Sequence, residues 1–265
     1  MVTNKIYIND LSIIAPGLID EKKTFKVLQG KQQWCFEPLP SFVPGILPAN
    51  ERRRTTPIIK IALQAIQSLL KSKDDYNQMT TVFSSSDGDL GIDDKICQAL
   101  LPPVKMVSPT LFHNSVHNAP AGYWSIASGM KSASVSLSAG NGSFAAGLID
   151  AASQVLIEQK SVLYVAYDVI APEPLNSVRH FEYSLAIGLR LGVKKEEESL
   201  GTISLSLDEI DNGVSSCLNT SLEPLRKGNP AGAGLPLLEV LARNSKSSIT
   251  IPYVMGKYLQ IGVNQ

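Results

Sequence analysis

The sequence is poor in the features that place a chain outside the ordinary class of globular proteins. It contains only three cysteines, at distant positions, which argues against a disulfide framework or a CxxC metal site and fits a reducing compartment. The formal net charge is zero, so no general electrostatic attraction to nucleic acid or an anionic membrane is expected. No apolar run approaches the roughly 20 residues that span a bilayer, and the polar N-terminus is not typical of a signal peptide. We therefore expect a cytoplasmic protein with no membrane span and no nucleic-acid partner.

What the chain does contain is a regular alternation of strand-like and helix-like segments. Strands are predicted at residues 5–14, 79–86, 133–138, 161–170, 184–193 and 202–207. A helix is predicted from Pro57, where apolar side chains recur at helical spacing, and a second helix, apolar around most of its circumference, follows residue 142. This pattern predicts a layered α/β fold with a mainly parallel central sheet, in a single domain spanning residues 1–265.

The segment SVSLSAGNGSFAAG, residues 134–147, predicts a strand that enters a tight turn and then the buried helix. Many α/β enzymes mount a nucleophile at such a turn, because the helix N-terminus stabilises developing negative charge. Here the turn offers only Ala139, Gly140, Asn141 and Gly142. The predicted geometry of the turn suits a nucleophile, but none of these four residues carries a nucleophilic side chain.

The ordered set of segments resembles the N-terminal half of the β-ketoacyl synthases, which have the thiolase fold. The resemblance is carried by VSPTLFHNSVHNAPAGYWSIASGMK (107–131), SASVSLSAGNGSFAAGLIDAA (132–152) and SVLYVAYD (161–168). It runs from about residue 4 to about residue 193, which makes residues 200–265 a divergent C-terminal extension.

The resemblance implies that a cysteine nucleophile is missing. Counting forward from Gly129 places Asn141 at the family's cysteine position, whereas counting backward from the helix allows Ala139. Neither an amide nor a methyl group forms the thioester that condensation requires. The family's two catalytic histidines belong to a second half that we expect this chain to lack, and its three histidines lie in no such motif. No catalytic residue and no cofactor is therefore predicted.

Ketosynthase-like subunits without the cysteine are known as chain-length factors. FHNSVHNAPAGYWSIASG and the SFAAGL helix are most similar to the short factors of aryl polyene systems. The resemblance implies a heterodimer with a full-length β-ketoacyl synthase and transient contact with an acyl carrier protein. Two alternatives remain: a homodimer that decarboxylates or hydrolyses acyl thioesters through Asn141 and nearby histidines, or a purely stabilising subunit.

The same resemblance assigns residues to the partner contact. The strand before the turn pairs with its equivalent in family dimers, and the loop SPTLFHNSV crosses to the neighbour's acyl tunnel. The predicted interface residues are Ala133, Ser134, Val135, Ser136, Leu137, Ser138, His113 and Asn114. The predicted tunnel residues are Leu111, Phe112, Leu90 and Ile92, with a place in the subunit's own core as the alternative for each.

His113 and His117 lie four residues apart, a spacing that on a helix brings two metal ligands together. No third ligand is evident nearby, and Pro120 with the adjacent asparagines favours irregular backbone. Hydrogen-bonded structural histidines are the preferred interpretation, and no metal site is predicted.

Overall fold

The structure is a computed structural model that describes residues 5–70, 79–209 and 213–265. Its strands form one mixed sheet in the order β3-β2-β4-β5-β1-β6-β8-β7. The strands are β1 (Ile6–Ile14), β2 (Met79–Ser84), β3 (Ser134–Leu137), β4 (Ser161–Asp168), β5 (Leu185–Gly192), β6 (Gly201–Asp208), β7 (Ser247–Pro252) and β8 (Tyr258–Asn264). The α-helices are α1 (Glu21–Leu28), α2 (Ala49–Arg52), α3 (Pro57–Gln67), α4 (Leu90–Ala99), α5 (Pro109–Asn114), α6 (Ala119–Ser128), α7 (Ser143–Glu158), α8 (Asn176–Arg179), α9 (Glu223–Lys227) and α10 (Leu235–Ala242).

The sheet is covered by helices on both faces, as the apolar strands predict. In β4, Tyr164 and its alternate neighbours enter one core cluster with α7 and α10, while Leu163 and its neighbours enter a second cluster with α3 and α6. Alternate side chains of a strand point to opposite faces, so a strand that is apolar at every position needs cover on both. The α/β class is confirmed.

The prediction of a mainly parallel sheet is wrong. Among the described residues, β2 pairs in parallel with β3 and β4, whereas the other five strand pairings are antiparallel. A parallel neighbour needs a crossover connection, commonly a helix. The connection from β4 to β5 contains only the short α8, and β5 and β6 flank β1 as antiparallel neighbours.

Helix α7 lies directly on the sheet, and it does so through small residues. An added Cβ on Gly147 would stand 2.4 Å from Cε2 of Tyr164, whose ring is fully buried in β4. The hydroxyl of Tyr164 donates to the carbonyl of Phe144, at 2.7 Å, in the first turn of α7. This contact fixes the N-terminal end of the helix, and with it the preceding turn, against the sheet.

Residues from 201 onward continue the same sheet and cover the outer side of α7. Strands β6, β8 and β7 extend the sheet beyond β1, and the 3-10 turn Pro230–Gly234 leads into α10 over the core of α7. Fully buried Glu239 of α10 accepts hydrogen bonds from the backbone N–H groups of Leu218 and Asn219, at 2.7 and 2.6 Å. The buried carboxylate is thereby hydrogen-bonded, and it satisfies the buried N–H group of Asn219.

The two edges of the sheet differ. At the β3 edge, the amides of Thr81 and Ser85 donate to the carbonyls of Ala133 and Leu137, so the odd-numbered residues of β3 bond to β2. The backbone of Ser134 and Ser136 consequently faces outward.

At the opposite edge, Thr250 of β7 is already occupied. Its N–H donates to the hydroxyl of Ser215, at 3.0 Å, and its carbonyl accepts from the N–H of Ser215, at 2.9 Å. Pro252, two residues further along β7, has no N–H to offer. The β7 edge therefore has few free backbone groups.

Candidate functional site

The turn before α7 has the strand–turn–helix geometry that the sequence predicts. After β3 the chain makes a short 3-10 turn, Gly140–Gly142, before α7 begins at Ser143. Gly140 has φ of 54°, in the left-handed region that favours glycine. The Ser143 hydroxyl accepts from the amide of Ala139, at 2.9 Å, and donates to the carbonyl of Gly140, at 2.7 Å.

This turn presents no nucleophile. Asn141 is exposed, and its side-chain oxygen accepts a hydrogen bond from Nη2 of Arg179 at 3.0 Å. Ala139 is half-buried and offers only a methyl group. The Ser143 hydroxyl is buried and occupied by the turn, so it does not substitute for a missing thiol.

Arg179 connects the turn to the end of β2, a link that sequence reasoning did not find. Its Nε donates to Oδ2 of Asp87 at 2.7 Å, and its guanidinium lies 5.2 Å from the ring centroid of Phe181. The arginine stands in a polar connecting segment without any periodic pattern, so nothing in the sequence marks it as a neighbour of Asn141.

A buried carboxyl group, Asp168, lies behind the turn at the end of β4. Its Oδ1 accepts from the hydroxyls of Ser85 and Ser86, at 2.8 and 2.9 Å, and from the amide of Ser86, at 2.9 Å. Burial raises the pKa of Asp168 to about 7, although these hydrogen bonds act in the opposite direction. The sequence signal was available: one carboxylate ends a largely apolar strand, and three consecutive serines, Ser84 to Ser86, stand at the end of β2.

Cys217 is a poor nucleophile because it is buried. Burial, followed by the nearby carboxylates of Glu239 and Glu223, raises the pKa of this thiol far above its usual range. Its backbone N–H donates to Glu223, whose pKa is lowered to about 2, chiefly by the hydrogen bond from Arg226. This cluster orders the segment leading to α9.

The two neighbouring histidines do not share a helix face. His113 lies at the end of α5, whereas His117 lies in the turn before α6, where its Nε2 is 2.9 Å from the carbonyl oxygen of Leu137. The predicted irregular backbone between them is confirmed. Within the described part of the chain, His, Cys, Asp and Glu side chains form no group of three that could hold a metal ion.

The predicted tunnel residues fall into two groups. Phe112 is 70% exposed and Leu111 is half-buried, on a helix (α5) where the sequence suggested a loop, since Ser108 and Pro109 start a helical turn. Leu90 is half-buried at the start of α4. Ile92 is only 1% exposed, which favours the alternative that the sequence offered for it, a place in the core of this chain.

Asn114, a predicted interface residue, makes its contacts within its own chain. The side chain is buried: its Nδ2 donates to the carbonyl of Arg54 at 2.8 Å, and its Oδ1 accepts from the hydroxyl of Tyr123 at 3.1 Å. Asn114 holds α5 against the rest of its own chain. In contrast, His113 and Ala133, Ser134 and Ser138 are exposed, and Val135, Ser136 and Leu137 are half-buried.

Large apolar side chains are exposed close to these residues in the chain. We call Leu101, Val104, Met106 and Phe112 the exposed apolar group; they are 82%, 73%, 78% and 70% exposed. The first three lie between α4 and α5, and Phe112 lies on α5. A run of this kind is typical of a surface that another protein covers.

An open cavity of about 520 Å³ lies along the β3 edge. Its lining residues are His117, Asn118, Ala121, Gly122, Ser125, Ser134 and Ser136. The two outward-facing serines of β3 and the small residues of α6 thus leave room beside the sheet edge. An added strand would lie about 4.8 Å from β3.

A second cavity, of about 240 Å³, opens beside Asn141. Its lining residues are Asn141, Arg179, His180, Phe181, Arg226, Lys227, Gly228, Asn229, Pro230, Ala233 and Pro252.

Among the helices that the structure describes, none is long and apolar enough to cross a membrane.

The architecture matches that of solved ketosynthase structures. The chain superposes on the complex of the ketosynthase ApeO with its chain length factor ApeC from Xenorhabdus doucetiae with a TM-score of 0.72 and 23% identity, covering 97% of this chain and 99% of that one. It superposes on the ishigamide ketosynthase/chain length factor with a TM-score of 0.75 and 13% identity, covering 98% and 99%. A third match is AntDE:AntF, a type II PKS acyl-carrier protein in complex with its ketosynthase, with a TM-score of 0.72 and 14% identity over 98% and 99%.

These matches establish the thiolase-like ketosynthase fold. No curated protein sequence matches the chain. The sequence profile of the β-ketoacyl synthase N-terminal domain matches residues 29–249. The chain therefore belongs to the β-ketoacyl synthase N-terminal domain family.

Proposed function

We propose that this chain is a non-catalytic chain-length factor. It pairs with a full-length β-ketoacyl synthase in the cytoplasm, helps to shape the acyl tunnel of that partner, and meets an acyl carrier protein transiently. The product class is an aryl polyene or related polyketide. In this proposal residues 1–265 act as one domain, with residues 200–265 as its divergent part.

The observation that carries the proposal is the turn before α7. The fold brings a strand, a glycine turn and a helix N-terminus together where a condensing enzyme of this family holds its nucleophile. In this proposal Asn141, or alternatively Ala139, stands at the nucleophile position, and the side-chain oxygen of Asn141 accepts a hydrogen bond from Arg179. A chain that keeps the scaffold of a reaction without its reacting group is suited to act through another protein.

The β3 edge supports a strand-to-strand contact with the partner. Ser134 and Ser136 point their backbone groups outward, and the cavity beside them is bounded by the small residues of α6. A partner strand placed there forms hydrogen bonds with the outward backbone N–H and C=O groups of β3, which otherwise bond to water. The predicted interface residues of β3 fit this arrangement.

The exposed apolar group supports a buried contact next to that strand. Phe112 is the candidate for reaching the partner's acyl tunnel, because it is an exposed aromatic side chain on a short helix that Asn114 fixes in place. Leu111 and Leu90 are the further candidates for tunnel contact, and His113 for the interface. The chains matched in the ketosynthase/chain length factor complexes align with this chain almost from end to end. This agreement in length supports the proposal for the whole chain.

The decisive experiment is co-expression with a condensing synthase encoded nearby, followed by affinity capture and size-exclusion chromatography. We expect a stable pair from the native chain and from the Ser136→Ala control. Ser136→Pro removes an outward N–H without touching the bonds to β2, so it leaves the isolated chain folded and weakens the pair at least about tenfold. Equal pairing of the proline and alanine variants would refute the strand contact.

The tunnel role has its own test. With Phe112→Ala, the assembled pair should release longer products than the native pair, because less bulk remains at the end of the tunnel. Product lengths are measured by mass spectrometry. An unchanged distribution from a fully assembled pair would reduce the chain to a stabilising subunit.

The absence of catalysis is tested on the purified chain with malonyl carrier protein. Release of carbon dioxide should not exceed the background of the carrier alone. Release above that background, abolished by Asn141→Ala, would instead support a residual decarboxylase.

A further inference from the structure

We propose that the cavity beside Asn141 binds a small organic oxyanion, a carboxylate or phosphate carried on a short carbon skeleton. This site goes beyond the partner contact proposed above. It shares no lining residue with the cavity along the β3 edge.

The charged side chains that line the cavity are cationic. Arg179, Arg226 and Lys227 line it together with His180. Among the described residues that line the cavity, none is Asp or Glu. The carboxylates that pair with the two arginines, Asp87 and Glu223, are not lining residues, so the charged side chains of the wall are cationic.

The Arg179 guanidinium is held in position before any ligand arrives. Its Nε donates to Asp87, its Nη2 donates to Asn141 at 3.0 Å, and the ring of Phe181 stacks beside it. Arginine has five N–H donors, and the pair on Nη1 has no partner within the described chain. A fixed guanidinium with free donors suits an oxyanion, since little conformational entropy is lost on binding.

Arg226 is fixed in the same way on the other side. Its Nε and Nη2 hold the two oxygens of Glu223 at 2.7 and 2.9 Å. This bidentate pair uses the Nε and Nη2 edge of the guanidinium, and the Nη1 donors have no partner in the described residues.

Lys227 and His180 supply the adaptable part of the site. The side chain of Lys227 is 70% exposed, and its Nζ lies 3.7 Å from Glu223, a loose contact. His180 is exposed at the end of α8, with a positive φ of 55°. Neither side chain holds the fold together, so both are free to turn toward an anion.

The remaining wall limits the size of the ligand. Phe181, Pro230, Ala233 and Pro252 contribute apolar surface, and the volume of about 240 Å³ is small for a ligand pocket. A few carbon atoms fit beside the apolar wall while the anionic group meets the cations. A long acyl chain does not fit.

The test is titration of the full-length chain with inorganic phosphate and, separately, with acetate, at constant ionic strength. Binding is followed by calorimetry and by amide chemical shifts of residues 179–181 and 226–229. We expect saturable binding of at least one of the two. The double variant Lys227→Gln with His180→Asn should bind about tenfold more weakly, because charge-assisted hydrogen bonds are lost. Asparagine is chosen at position 180 because it tolerates the positive φ.

Lys246→Gln is the matched control, since Lys246 is an exposed lysine that does not line the cavity. The control should bind as the native chain does, and Lys227→Gln alone should already weaken binding. Phosphate binding without acetate binding indicates a phosphate ester, and the reverse indicates an organic acid. Failure of both probes to bind saturably, or equal binding by the native chain and the double variant, overturns the proposal. None of these measurements needs the partner synthase, so they are independent of the pairing experiment.

Discussion

Asp168 is the residue whose surroundings differ most from those of an ordinary carboxylate. Its side chain is 2% exposed, and it accepts three hydrogen bonds from Ser85 and Ser86. These donors join the end of β4 to the end of β2, directly behind the turn that carries Asn141. The ionisation of Asp168 therefore bears on the turn as well as on the stability of the sheet.

The raised pKa gives Asp168 a defined effect on stability. The folded chain binds this proton up to a pH of about 7, whereas the unfolded chain releases it near 4. The contribution is thus fully present below pH 4 and is lost as the pH rises toward 7, by about 4 kcal/mol at most. Asp168→Asn keeps an acceptor oxygen but removes the titration.

The measurement is urea unfolding of the native chain and Asp168→Asn at pH values from 4 to 8. The stability of the native chain relative to the variant should fall as the pH rises. Asp150→Asn, on a half-buried part of α7, serves as the control for the general effect of replacing an aspartate by asparagine. A parallel pH dependence in native chain and Asp168→Asn would contradict the buried titration.

The residues of the site were predictable only in part. The lack of a nucleophile at Asn141 or Ala139 was readable from the sequence, because the glycine turn fixes the place. Arg179 was not, since its contact with Asn141 depends on the folded path of a connecting segment. Asn114 was assigned to the interface from the resemblance of the segment SPTLFHNSV, whereas its hydrogen bonds with His113, Arg54 and Tyr123 depend on the tertiary structure.

At the scale of elements, the contact between α7 and β4 leaves no room for a larger residue at Gly147. Gly147→Ala forces a Cβ into the ring of Tyr164, 2.4 Å from Cε2, and should destabilise the chain by about 1–3 kcal/mol. The loss is measured as a shift in the midpoint of urea unfolding.

Gly122→Ala on α6 is the matched control. An added Cβ there meets nothing within 4 Å, and alanine favours a helix over glycine by about 0.8–1 kcal/mol. The isolated chain should become slightly more stable. A similar loss in both variants would show that packing against Tyr164 is not the cause.

Strand and helix positions were predicted well because periodicity reports burial. The continuous apolar run of β4 and the stripe of α3 follow directly from the two faces of the sheet. Strand direction was not predicted, because it depends on connections: no helical pattern separates residues 161–170 from 184–193, and these strands pair antiparallel. The sequence already showed the absence of a crossover helix between these two strands. The prediction of a mainly parallel sheet followed instead the alternation of strands and helices in the rest of the chain.

At the scale of the whole molecule, partner binding should appear as stability. A partner that covers the β3 edge and the exposed apolar group binds only the folded chain, so the unfolding temperature rises with the logarithm of the partner concentration once that concentration exceeds the Kd. We expect a shift of several degrees in thermal unfolding of the mixture. Ser136→Pro should unfold at nearly the native temperature when alone and lose the shift.

An unchanged unfolding temperature would contradict the proposed pairing. If the native chain alone and its mixture with the synthase unfold at the same temperature over a hundredfold range of partner concentration, the pairing is absent. Ser136→Ala, which keeps the outward N–H, should preserve the full shift.

The unequal edges of the sheet have a consequence for how many copies can join. One side offers the backbone of Ser134 and Ser136, whereas the other is tied at Thr250 to Ser215 and interrupted at Pro252. Addition at a single side stops after one step, because the newcomer's own equivalent strand is used in the same contact. In the proposed heterodimer, such a sheet closes as a pair and leaves no long free edge as a template for a growing fibre.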